Sequence, residues 1–216
     1  MTEADAGRVE GDETGSDLGR VLTLSDGVFA IALTVLVLDI ALPARTTEAT
    51  LGHDLAHLAP RYVAYVLSFF TIGMFWLIHR LSFRRVVRTN MTLLVLNLLL
   101  LLGVAFLPFP TAVIGEFGGT ATASVFYGLS IAATSLVSSG IWWYLSGPGR
   151  VLLDPRTDPE WIRMGRVRAV VGPAVFVVSI PVAVVAPYLA MAMWFLVFPL
   201  RMLVPRLINR GAEDPD

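Results

Sequence analysis

Runs of roughly 20 consecutive apolar residues dominate this chain. They extend from Val21 to Leu42, Tyr62 to Ile78, Met91 to Ile114, Ala121 to Leu145 and Ala169 to Leu200. A helix of that length matches the hydrocarbon thickness of a bilayer. Inside that layer each backbone polar group must be paired within its own segment, so helix is the structure these runs adopt. With 56% of its 216 residues hydrophobic and 15% charged, the chain has more apolar surface than one water-soluble core of this size can hide. The last run is too long for one ordinary span and holds Pro181 and Pro187. It divides into two short helices, about 169–185 and 188–205, joined by a tight turn. The result is an all-α membrane protein with six transmembrane helices, occupying residues 18–208.

Arginine placement orients the bundle. All 16 basic residues are arginine, as in proteins from GC-rich bacteria, since no mechanism here requires lysine to be excluded. Cytoplasmic loops collect such charges. With six spans and both termini in the cytoplasm, 14 of the 16 arginines fall inside, and only Arg45 and Arg61 fall outside. A single long tilted last helix would move the final three outside, so six spans fit better. Residues 1–17 are polar and acidic and read as a disordered cytoplasmic tail; residues 209–216 form a second cytoplasmic tail. The expected location is the inner (plasma) membrane of a bacterium, with the lipid bilayer as a partner and no nucleic acid.

Several chemistries lack their residues. There are no cysteines, which removes disulfides, thiolate metal sites and cysteine nucleophiles. No phosphate-binding glycine loop, Ser-His-Asp set or HExxH motif is present, so no enzyme activity and no cofactor are expected. No arginine-every-third-residue voltage sensor and no TVGYG filter segment occur. In the outer loop 44–60, His53 and His57 share a helix face and could hold a metal, but a third and fourth ligand are not evident. A short interfacial helix accounts better for that loop, and no metal site is assigned.

Polar residues inside the first span are the informative ones. Asp26 lies about 9 Å deeper than Arg20 at the helical rise. A carboxylate at such depth costs roughly 2.5–3.5 kcal/mol unless it is partnered. The alternating topology brings Trp76 and His79, at the inner end of the second span, to the level of Asn97 in the third. Ser25, Asp26, Trp76, His79 and Asn97 are therefore expected in one hydrogen-bonded layer, with Arg20 at its edge. Such a layer either glues helices together or contacts ions. On the other side of the same helix, Leu24, Thr34, Val35 and Leu38 all lie within about 60° of Ile31, whereas Asp26 lies about 140° away. That stripe is either ordinary packing or a lining. Asp39, near the outer end, either concentrates cations or is a plain interfacial residue.

The stretch Arg20-x-x-x-Leu24-Ser25-Asp26 resembles the R-x-x-x-F-S-D signature of the transmembrane protein 175 family, with leucine in the place of phenylalanine. The sequences GVFAIALTVLVLDI, FTIGMFWLIHRLSF and LVLNLLLLLGVAFLPFPTAVIGEF extend the resemblance over about residues 20–115, toward the six-span prokaryotic potassium channels. The resemblance implies a homotetramer whose four first helices line a central pore, with an apolar constriction and no carbonyl filter. It places the constriction at Ile31, a potassium preference at Thr34 and further apolar rings at Val35 and Leu38. The permeant ion would be K+, with other monovalent cations or H+ as alternatives. His79 is the one intramembrane group that titrates near neutral pH in the free amino acid, so a proton-conducting or proton-gated leak is the second expectation. A secondary transporter would require inverted repeats, and none is visible. A non-conducting scaffold is the remaining class.

Overall fold

The structure is a computed structural model that describes residues 3–197, 199, 200 and 203, with side chains from residue 17 onward. Its eight α-helices among these residues are α1 (Glu3–Val35), α2 (Leu51–His57), α3 (Ala59–Phe83), α4 (Met91–Phe106), α5 (Pro108–Phe117), α6 (Ala121–Ser146), α7 (Pro159–Val185) and α8 (Pro187–Trp194). Among the described residues, five helical stretches are long and apolar enough to cross a membrane: Asp17–Asp39, Ala59–Phe83, Met91–Phe117, Ala121–Ser146 and Pro159–Val185. The chain breaks at Ala186 (φ −145°, ψ 75°), ahead of Pro187, where two helices rather than one were expected. α8 is eight residues long, and part of the expected sixth span, 188–205, lies outside the described residues.

Helix ends follow local chemistry. Asn90 caps α4 by accepting from the Leu93 amide at 3.0 Å, and Thr120 caps α6 by accepting from the Ala123 amide at 3.3 Å. Asp158 accepts from the Glu160 amide at 2.8 Å, and Pro159 follows in the first turn, where its missing N–H costs nothing. α7 therefore begins ten residues before the expected 169. The N-terminal segment also differs: helical backbone begins at Glu3, within the 1–17 stretch whose composition suggested disorder. Acidic residues in an N-terminal turn complement the helix dipole, which favours that extension. Leu107, with Pro108 and Pro110 after it, divides the third run into α4 and α5.

The connection from α6 to α7 is tied down rather than free. Its 3₁₀ turn Arg150–Leu152 leads to an antiparallel bridge between Val86 and Leu153. The Val87 amide donates to the Leu152 carbonyl at 2.8 Å, and the Asp154 amide to the Arg85 carbonyl at 2.8 Å. This buries Val86, Leu152 and Leu153.

α6 is the most covered of the spanning helices, half of its membrane window being buried, and α1 the least, at 22%. α6 packs closely on α7. Gly165 leaves the space in which the Trp142 indole lies, where a Cβ would come within 1.6 Å of the ring. Pro173 has no N–H for the Ala169 carbonyl one turn back. The Ser139 hydroxyl of α6 donates to that carbonyl at 2.5 Å. A hydrogen bond missing inside α7 is thus replaced from a neighbouring helix. α1, in contrast, packs against α3 and α4 along a single seam and lies at the edge of the fold.

Candidate functional site: the two faces of the first helix

One face of α1 is sealed by the chain's own helices. Ser25, Phe29, Ala32 and Leu36 recur every three or four residues and are all buried. Ser25 meets α4, where the Asn97 side-chain amide donates to the Ser25 hydroxyl at 3.0 Å. The Asn97 carbonyl oxygen in turn lies 2.9 Å from His79 Nε2 on α3, where the ring N–H donates. This buried Ser25–Asn97–His79 chain joins three helices. Phe29 and Phe83 flank the imidazole, at ring-centroid distances of 5.7 and 4.3 Å. The aromatic enclosure was not anticipated, although His79 and Phe83 stand four residues apart on one helix face.

Asp26 forms a second, separate contact. Its Oδ1 accepts from Trp76 Nε1 at 2.8 Å, and Arg80 lies over the same indole at 5.6 Å. The single expected layer is therefore two pieces. Neighbouring residues point about 100° apart around a helix, and Ser25 bonds Asn97 while Asp26 bonds Trp76. Arg20 is exposed, and among the described residues no hydrogen bond or ion pair joins it to either piece. Asp26, Trp76 and Arg80 border a groove of about 1530 Å³ between α1, α3, α6 and α7.

The opposite face of α1 is largely exposed. Ile31 is 64% exposed and Leu38 72%, and Leu24, Thr34 and Val35 are exposed with them. The Thr34 hydroxyl donates to the Ile31 carbonyl at 2.9 Å. That uses its proton and leaves oxygen lone pairs turned outward as acceptors. Beyond Val35 the helix tightens into a 3₁₀ turn, Leu36–Asp39, so Leu38 is not on the α-helical register assumed from sequence. In 3₁₀ geometry residues i and i+3 eclipse, which keeps Leu38 directly in line with Val35.

At the C-terminal end of this 3₁₀ turn, Asp39 borders a cleft of about 310 Å³ shared with Leu36, Arg61, Tyr65 and Glu116. Arg61 and Glu116 form an ion pair there. A buried hydroxyl chain not anticipated from sequence lies below this cleft. Thr111 donates to Ser68 at 2.8 Å, and the Ser68 and Tyr127 hydroxyls are 2.9 Å apart. Isolated serines and threonines in apolar runs carry little signal, because each can bond its own helix. Among the described residues no cluster of three or more metal-binding side chains occurs.

The chain is similar to known proteins. A family model described as endosomal/lysosomal potassium channel TMEM175 matches residues 20–108. A potassium channel of Streptomyces collinus is 38% identical over 181 residues, covering 82% of this chain and 87% of its own length. The human endosomal/lysosomal proton channel TMEM175 is 38% identical over 97 residues, which is 41% of this chain and 19% of the human one. Among solved structures, a lysosomal potassium-selective channel TMEM175 homolog from Chamaesiphon minutus superposes with a TM-score of 0.76. It is 29% identical and covers 88% of this chain and 98% of its own.

Proposed function

The chain belongs to the TMEM175 family of ion channels, and we propose from this that it is a passive, potassium-preferring cation channel formed by four copies around their first helices. In this proposal the chain has six spans with both termini in the cytoplasm of a bacterium. Residues 18–208 form the channel domain between short cytoplasmic tails. The relatives named potassium channels and the arginine distribution support this arrangement.

The observation that carries the proposal is the uncovered face of α1. The least buried span presents Ile31, Val35 and Leu38 away from its own bundle, with the Thr34 hydroxyl among them. Four such faces around an axis form stacked apolar rings. Ile31 closes the conduit by dewetting, and slight rotation or splaying of α1 opens it. Thr34 oxygens replace part of the ion's water shell. Few fixed oxygens line this path, so preference over sodium is modest. Asp39, beside the outer end of the stripe, raises the local cation concentration by its charge. Ser25, Asn97 and His79 lock the sealed face of α1 onto α3 and α4 and take no direct part in conduction.

Purified protein in liposomes tests this by potassium flux. Ile31→Asn wets the narrowest ring and is expected to raise conductance severalfold. Unchanged conductance removes Ile31 as the constriction. The match to proton channels over 97 residues of the same region supports a second reading, proton passage through the same conduit. A pH-sensitive dye inside potassium-free liposomes separates the two.

A further inference from the structure

We propose that His53 and His57 form a two-imidazole clamp for a late first-row divalent cation, Zn²⁺, Ni²⁺, Co²⁺ or Cu²⁺, on the outer face of the protein. Both rings project from α2, four residues apart, and their Nε2 atoms are 3.2 Å apart. Two nitrogens on one metal at about 2.0–2.1 Å are separated by roughly 3.0 Å in a cis octahedral arrangement and roughly 3.4 Å in a tetrahedral one. The observed separation falls between these values. The rings meet edge to face, with centroids 4.4 Å apart at 62°, so they are not stacked and their Nε2 atoms stand side by side.

The tautomer needed for a ligand is also favoured at His53. A metal takes the lone pair of neutral Nε2, which requires the proton on Nδ1. His53 Nδ1 faces the Asp54 carboxylate at 3.7 Å. That carboxylate is itself held by the Thr50 hydroxyl at 2.8 Å. A carboxylate behind a histidine is the usual outer-shell partner of an imidazole ligand. Two protein ligands leave the other positions to water, so the clamp exchanges its ion freely and serves as an external modulatory site. A bare hydrogen bond between the rings is the competing account, and metal titration separates the two.

α2 follows directly on the segment that leaves Asp39, so a bound dication adds positive charge near the outer end of the α1 stripe. This consequence rests on the channel proposal, whereas the binding site itself does not.

The test uses full-length protein purified without a histidine tag and titrated calorimetrically with ZnCl₂ or NiCl₂. One ion per chain is expected. His53→Ala and His57→Ala should each abolish it, and Asp54→Asn should weaken it by about 10–100-fold. None of the residues of α2 is buried, and His79, the remaining histidine, is enclosed, so these variants fold and keep their thermal stability. Absence of binding in the wild-type protein, or undiminished binding in the double variant, overturns the site. External Zn²⁺ should also slow potassium flux in wild-type liposomes but not in the double variant. Binding without any effect on flux would overturn the modulatory role and leave the clamp standing.

Discussion

Asn97 is the residue on which the sealed face of α1 depends. It donates to Ser25 and accepts from His79 with the two ends of one amide, inside a layer where water cannot substitute. Asn97→Leu leaves a hydroxyl and an imidazole without their partner, and an unsatisfied buried group costs about 1–3 kcal/mol. The expected outcome is a lowered unfolding temperature in detergent, with Asn97→Gln less affected than Asn97→Leu. Equal stability of all three proteins would show that the chain is not a structural tie. These residues were legible in the sequence because a polar side chain in an apolar run is expensive and needs a reason. Their depth followed from the helical rise. Their partners did not, since depth says nothing of direction around the helix. Asp26 therefore went to Trp76 and not to the Asn97 chain.

Proline and serine act together at the scale of elements. The break at Ala186 was legible, because proline pushes the residue before it away from helical geometry, although Pro173 and Pro181 are carried inside α7. Pro173 inside α7 was not read as a packing device, and its cost is met from α6. Ser139→Ala should destabilise the protein by about 1 kcal/mol, in the range of hydrogen bonds between membrane helices. In a Pro173→Ala background the same change should cost much less, because an amide at 173 can then serve the Ala169 carbonyl. A double-mutant cycle of unfolding free energies measures the difference. Additive effects would mean that Ser139 does not answer the proline. The start of α7 at Pro159 was missed because its first turns are charged, and a search for apolar runs passes over them.

For the whole molecule, the question is which helix neighbouring copies share. The chain has no cysteine, so an introduced thiol is unique. Ile31→Cys should cross-link between copies in oxidised membranes, whereas Leu136→Cys, on an exposed part of α6, should not. Light scattering of the purified protein should give the mass of four chains. Cross-linking through Leu136 with none through Ile31 would place α1 at the lipid perimeter and remove the pore. Hydropathy alone was enough to locate the five helical stretches long enough to span and the order of polar residues along each of them. Those are properties along the membrane normal, where hydrocarbon thickness imposes a large energy on every residue. Rotation about each helix axis came from the packed structure. Which face of α1 is sealed, where Asp26 points and how closely His53 approaches His57 all follow from many small contacts summed across helices, and no single stretch of chain contains that sum.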